Sequence, residues 1–132
     1  MKNIFKAGSQ KFFQRIVRNK DRAAFENGDV HPVYSTFALA RDAEWTCRLF
    51  VLEMREPDEE GIGTFITLDH RSPALIGEVV NFRAEVESIR GNEIICKYEA
   101  RVRDRLIASG RQGQKIMKRE QLKELFRKLK HG

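Results

Sequence analysis

HPVYSTFALARDAEWTCRLFVLEM, residues 31–54, decides how the chain folds. Ala, Leu, Arg and Glu dominate it, and Ala40, Ala43, Cys47, Phe50, Val51 and Met54 recur at helical steps. That period predicts an amphipathic helix over about 37–54. Ser35 or Thr36 can cap its first turn. The following REPDEEGIG, residues 55–63, stops it with Pro57 and two glycines. Glu44 lies four residues after Ala40, three before Cys47 and seven before Val51, which sets it on the apolar stripe. Burying an ionised carboxylate without a partner costs on the order of several kcal/mol. Glu44 is therefore paired with an arginine, protonated, at the stripe's edge, or facing a cavity.

Beyond the helix the period changes to two. In GTFITLDH, residues 63–70, Thr64, Ile66, Leu68 and His70 share a face. Residues 78–89 alternate Val80, Phe82, Ala84 and Val86 with polar neighbours, and residues 94–103 do the same with Ile94, Cys96, Tyr98, Ala100 and Val102. These are half-buried antiparallel strands, the last two joined as a hairpin at Arg90-Gly91-Asn92. LIASGRQGQKIM, residues 106–117, reads as a further strand whose glycines signal a bulge or a close approach. QKFFQRIVR, residues 10–18, fits a strand or a short helix. AFENGDVHPVYS, residues 24–35, reads as loop from its Asn-Gly pair and X-Pro step. REQLKELFRKLK, residues 119–130, is a basic amphipathic helix with Leu122, Leu125, Phe126 and Leu129 on one face.

A long helix with an apolar stripe must be covered, and a curved sheet is the large partner available. The expectation is an α+β chain: one hotdog domain over 1–132, an antiparallel sheet wrapped around one long central helix. Within it, residues 1–30 form an N-terminal segment whose structure the sequence leaves undecided, and residues 118–132 form a basic tail helix. Exposed sheet edge and helix surface predict a homodimer, with higher assembly left open.

The chain of 132 residues is 41% hydrophobic and 33% charged, an ordinary globular composition. No apolar run approaches a membrane span, and no h-region with a cleavage site follows the start, so the expected setting is cytoplasmic with no membrane partner. The acid-poor first twenty residues have something of a transit peptide, but they run on unbroken into the folded pattern. Cys47 and Cys96 both fall on apolar faces and read as buried free thiols. No Cys/His spacing suggests a metal, and no cofactor is implied. The net charge of +6 is uneven. Residues 1–22 carry +6 and residues 115–132 carry +5, while the body between them carries −5. Basic ends on an acidic body argue against nucleic acid and suit a phosphate-bearing ligand held near the termini.

Three residues carry possible chemistry. His70 ends a strand on an apolar face, where a histidine is a satisfied core residue or a general base. Thr36 at a helix start is a cap or a site hydroxyl. Helix-start N–H groups can also hold a carbonyl oxygen as it becomes an oxyanion. With Glu44, a hydroxyl, a carboxylate and an imidazole at a helix N-terminus would suit acyl transfer.

Their spacing resembles the fluoroacetyl-CoA thioesterase-like family of hotdog proteins. That pattern is a Thr opening the central helix, a Glu eight residues on, and a Gly-Thr strand ending in His, then a proline and a glycine before the next strand. Here it reads ST at 35–36, Glu44, GT at 63–64, His70, and RSPALIGEVV at 71–80. The later strand and its SG dipeptide resemble YEARVRD (98–104) and Ser109-Gly110. The resemblance spans about residues 31–117. It implies a thioesterase for a short or modified acyl-CoA, with Glu44 as nucleophile or driver of attack, His70 as base and Thr36 as positioning hydroxyl. Gly63 matches a glycine lining the acyl site. Arg71 or the tail helix would meet the CoA phosphates, unless the tail simply packs Leu122, Leu125 and Phe126 on the body. Gln114 takes the place of an acyl-pocket arginine in the member that handles fluoroacetyl-CoA. Gln112 takes that of a histidine, and residues 1–30 offer no match to its aromatic lid. The triad carries over; the fluoroacyl specificity does not. The alternatives are a hotdog protein that binds an acyl-CoA or acyl carrier without turnover, and nucleic-acid binding through the basic ends.

Overall fold

The computed structural model describes residues 1–26 and 28–132. The expected helix is α1, Thr36–Met54. Ser35 caps it: the backbone there is extended and the side chain accepts from the Ala38 N–H at 3.0 Å. The buried side of α1 is Ala38, Leu39, Asp42, Ala43, Thr46, Cys47, Phe50, Val51 and Met54. This stripe is rotated from the expected one. Asp42 and Thr46 join it, Ala40 sits at its border, and Glu44 turns out of it to the exposed side.

The strands are β1 (Gln10–Ile16), β2 (Arg22–Phe25), β3 (Gly28–Tyr34), β4 (Glu59–Ile66), β5 (Asp69–His70), β6 (Val79–Arg90), β7 (Glu93–Val102) and β8 (Arg105–Lys118). The main sheet runs β1-β6-β7-β8-β4, with β5 also on β8, and every pairing is antiparallel. The open reading of residues 10–18 resolves as strand. The stretch 24–35 is not simply loop: β2 and β3 pair as a separate two-stranded ribbon with two register shifts. An Asn-Gly pair also marks tight hairpin turns, and Gly28 has φ +115°; Asn27 lies outside the described residues. Pro32 has no N–H to offer, and its carbonyl accepts from Ile76 outside the ribbon.

The sheet curls over α1 as a hotdog. Phe82, Ala84 and Val86 of β6, Cys96, Tyr98 and Ala100 of β7, and Ala108 and Ile116 of β8 meet the helix's apolar side in one core. Each fully buried large side chain stabilises the fold by roughly 1.5–3 kcal/mol.

Between Gly63 and Phe65 the β4–β8 register slips by one, so Thr64 is an extra residue. Its hydroxyl faces Glu93 on the outer side, so Thr64 does not share the face of Ile66, Leu68 and His70. Ile66 and Leu68 lead to His70 on the inner face, across from Ala108. At Gly110 a Cβ would stand 2.0 Å from the Thr67 carbonyl oxygen, so this glycine is the expected close approach.

Two carboxylates lock the N-terminal segment to α1. Asp21 is fully buried and accepts from the Arg18 backbone and the side chains of Arg18 and Arg41. Asp42, 2% exposed, accepts from Arg15, Arg41 and the Tyr34 hydroxyl. Burial alone would raise both carboxyls, but the arginine and tyrosine donors outweigh it and hold both below the usual range. Burial, then the hydrogen bond to Asp42, pushes Tyr34 up.

The tail helix is α2, Arg119–His131. Only Leu122 of its apolar face is buried; Phe126 is 53% exposed and Leu129 70%. It does not pack its whole stripe on the body.

Candidate active site

Because Ser35 does the capping, the Thr36 hydroxyl is free to point elsewhere. Thr36 Oγ1 lies 2.9 Å from His70 Nδ1. His70 is fixed by β5, and the next residue anchors the strand through Arg71 N–H to the Ile107 carbonyl at 2.8 Å. His70 Nε2 is buried and has no hydrogen-bond partner among the described residues. Among the described residues the polar side-chain contact of the imidazole is the Thr36 hydroxyl at Nδ1.

Glu44 stands eight residues further along α1, about 12 Å along the helix axis. It is exposed. Gln112 Nε2 donates to Glu44 Oε1 at 3.2 Å, and Gln114 Nε2 donates to Gln112 Oε1 at 2.9 Å. A Cβ at Gly63 would fall 2.8 Å from Glu44 Oε1. Glycine there lets the carboxylate approach the β4 backbone through the missing side chain, and a methyl would displace the end of the Glu44 side chain.

The structure thus brings the sequence candidates together as two pairs. Thr36 meets His70, and Glu44 meets Gly63. Both pairs lie along one uncovered side of α1. Exposed apolar side chains border them: Phe37 (82% exposed) next to Thr36, Trp45 (41%) next to Glu44, and Ile66 (40%) on β4. Arg71 is exposed at the rim, with its Nε 2.8 Å from Asp69. Gln114 is 2% exposed and sits behind Gln112, away from solvent. Sequence reasoning treated Gln112 only as a departure from a family pattern and missed it as the partner of Glu44. The signal was present: two-residue alternation puts Gln112 and Gln114 on the same face as buried Ile116. Asp21 and Asp42 were missed as well.

A cleft of about 660 Å³ lies on the other side of the sheet, among Thr67, Asp69, Arg83, Lys97, Tyr98 and Arg111. Its charges pair with one another, Arg83 with Glu99, Lys97 with Glu85 and Arg111 with Glu87, and it contains none of the candidate residues. Among the described residues no cluster of His, Cys, Asp and Glu is arranged to hold a metal ion. Cys47 and Cys96 are free and buried. The contact with Cys96, then burial, pushes the Cys47 thiol far up, so Cys47 is not an activated nucleophile.

A sheet curled on one helix, with a carboxylate and a hydroxyl–imidazole pair on that helix's open side, defines a hotdog protein of the thioesterase class. The chain matches the fluoroacetyl-CoA-specific thioesterase family, FlK, over residues 17–120, and it belongs to that family. Among solved structures it is similar to a Thermus thermophilus hypothetical protein described as a thioesterase superfamily member. They share 34% identity over 99% of this chain and 96% of that one, with a TM-score of 0.92. A variant of the thioesterase FlK aligns at 21% identity and TM-score 0.86, over 96% of this chain and 98% of that one. A hot-dog-like protein from Thermanaerovibrio acidaminovorans aligns at 17% identity and TM-score 0.85, over 94% and 92%. No curated protein matches the chain.

Proposed function

We propose that the protein hydrolyses a short or modified acyl-CoA to the free acid and CoA, at a site formed by Thr36, Glu44 and His70 on the open side of α1. The observation that carries this is the Glu44 carboxylate, exposed in the protomer yet fixed by a buried amide and cleared by Gly63. The thioester carbonyl oxygen lies against the start of the second protomer's α1, because the start of Glu44's own helix is about 12 Å away along the axis. Ser35 already occupies the Ala38 and Leu39 amides, leaving those of Thr36 and Phe37 for the oxygen. Glu44 attacks the carbonyl carbon, the C–S bond breaks, and the CoA thiolate leaves. Water then splits the mixed anhydride, regenerating Glu44 and releasing the acid. In the parallel route Glu44 activates that water directly. The proton lost by water passes through Thr36 Oγ1 to His70 Nδ1 and on to the thiolate. Gly63 leaves room for the acyl group, Gln114 closes the floor behind it, and Arg71 meets CoA phosphate at the rim. A second protomer covers Phe37, Trp45 and Ile66 and closes the site in a homodimer. A structure of a related FlK variant holds fluoroacetate and CoA, which supports an acyl-CoA ligand here.

The second reading is a binding protein without turnover. The distance between Glu44 and His70 along α1 within one protomer favours it. Release of free CoA from a panel of acyl-CoAs, followed with a thiol reagent, separates the two. Turnover that is lost in Glu44→Ala and His70→Ala supports the hydrolase. Binding of the same esters without CoA release supports the binding protein.

A further inference from the structure

We infer that Gln112 and Gln114 form a directional amide relay that aims the Glu44 carboxylate, both acting as positioning residues; the catalytic part of this rests on Glu44 being the reacting carboxylate. The direction follows from hydrogen-bond chemistry. An ionised carboxylate only accepts, so Gln112 must turn its Nε2 toward Glu44, as it does at 3.2 Å. The oxygen of the same amide then faces away and needs a donor, and Gln114 Nε2 supplies one at 2.9 Å. Neither amide is free to do otherwise, since Gln112 is 1% exposed and Gln114 2%.

The sheet register builds the slot for them. Gln112 and Gln114 project from one face of β8, opposite Cys96 and Ile94 of β7. On the other side they run along β4, where Gly63 pairs with Gln114 and Gly61 with Ile116. A Cβ at Gly63 would meet Glu44 Oε1 at 2.8 Å and touch Gln112 Nε2 at an ordinary 3.8 Å, and one at Gly61 would meet Val51 Cγ1 at 2.5 Å and touch Gln114 Oε1 at an ordinary 3.5 Å. The two glycines of Gly61-Ile62-Gly63 therefore let Val51 and the Glu44 carboxylate of α1 close on β4, beside two glutamines on an otherwise apolar inner face. Filling that face with Leu or Met would satisfy packing alone. The relay instead holds Glu44 in one orientation through a neutral donor, without neutralising its charge with an arginine.

The relay makes a prediction that simple packing does not. Gln114 makes no contact with Glu44, yet replacing its donor by an acceptor must be felt there. In Gln114→Glu the new carboxylate draws Gln112 Nε2 to itself and turns Gln112 Oε1 toward Glu44.

The test uses the full chain with Gln112→Met, Gln114→Glu, Gln114→Met and Glu44→Ala. Steady-state hydrolysis is measured on the acyl-CoA that the wild type cleaves fastest. Thermal midpoints and the side-chain ¹⁵N–¹H amide signals of Gln112 are recorded alongside. Loss of one charge-assisted hydrogen bond predicts a fall in kcat of about tenfold to a hundredfold in Gln112→Met and Gln114→Glu, with KM little changed. Gln112→Met also leaves the buried Gln114 Nε2 without its acceptor, so its thermal midpoint falls by a few degrees, and the fall in kcat at unchanged KM is the readout a merely structural glutamine would not move. A folded Gln112→Met with wild-type kcat overturns the relay. If the wild type cleaves no acyl-CoA, the hydrolase reading fails, and the amide signals still decide the relay. Glu44→Ala and Gln114→Glu must each move the Gln112 amide protons upfield or exchange-broaden them, and an unmoved pair overturns it. Should Gln114→Glu not fold, Gln114→Met removes the same donor and is read in the same two ways.

Discussion

At the residue scale, the site depends on side chains that are small, absent or relieved of other duties. Gly63 is the sharpest case. A methyl there would meet Glu44 Oε1 at 2.8 Å, closer than real Cβ contacts allow, so the carboxylate must swing off Gln112. Gly63 itself is exposed, which separates this effect from stability. Gly63→Ala is expected to lower kcat/KM by about a hundredfold, in the range of a mispositioned reacting group, with a thermal midpoint within a degree or two of wild type. Equal losses of midpoint and activity would refute the steric account. Thr36 is relieved of capping by Ser35 and so is free to hydrogen-bond His70, which the proposed mechanism uses as its proton path. Thr36→Val keeps the shape and removes the hydroxyl, and should lose activity to the level of His70→Ala. Thr36→Ser should retain most of it. A Thr36→Val enzyme much faster than His70→Ala would mean that the imidazole acts by another path than Nδ1.

At the element scale, α1 is held from two directions: its apolar side against the sheet, and its polar border against Asp21, Asp42, Arg15, Arg18 and Arg41. The Asp42 carboxyl is lower in the folded state than in the unfolded chain. Its contribution is therefore complete above the unfolded value, near 3.9, and is lost as pH falls through the folded value. Asp42→Asn should destabilise the protein by about 3 kcal/mol at neutral pH, the scale of breaking a buried pair. It should also flatten the acid limb of a pH–stability curve measured by urea unfolding. An acid limb as steep as that of wild type would place the acid sensitivity elsewhere. The same element shows what was legible beforehand. The helix, the hairpin of β6 and β7 and the long β8 could be read from period alone, because each has one buried and one solvated face. The rotation of α1 could not. Asp42 and Thr46 are buried polar residues whose partners come from β1 and β3 or from the helix's own backbone. A hydrophobicity pattern counts such residues as solvent-facing and turns the helix accordingly. Thr64 escaped for a related reason: a single bulged residue reverses the parity that alternation assumes. The pairing of β2 with β3 was hidden because a loop and a hairpin turn share the Asn-Gly signal.

At the scale of the whole molecule, the fold presents one side of α1, two open sheet edges and a tail helix whose stripe is only partly covered. The core is sealed. Cys47 and Cys96 are each 1% exposed and lie in contact across the helix–sheet seam. A thiol reagent should therefore titrate none of them in the native protein and two after denaturation. Reaction of the native protein within minutes would mean that α1 opens from the sheet far more often than this packing allows. The spacing of Thr36, Glu44, Gly63 and His70 named the candidate site through its resemblance to the fluoroacetyl-CoA thioesterase-like family, because helix and strand periods alone left each of them an ordinary structural reading. That spacing did not reveal the two-pair arrangement, because the distance from Glu44 to His70 depends on where β5 docks along α1.

The central claim is that the two pairs act as one catalytic unit on a single thioester. A double-mutant cycle on kcat/KM tests it most directly, with Glu44→Ala, His70→Ala and the combination assayed on the best acyl-CoA substrate. Residues working as a unit are non-additive. The prediction is that each single change costs about a thousandfold or more and that the double variant is no slower than the worse single. Additive losses, or a Glu44→Ala variant with near-wild-type turnover, would contradict it.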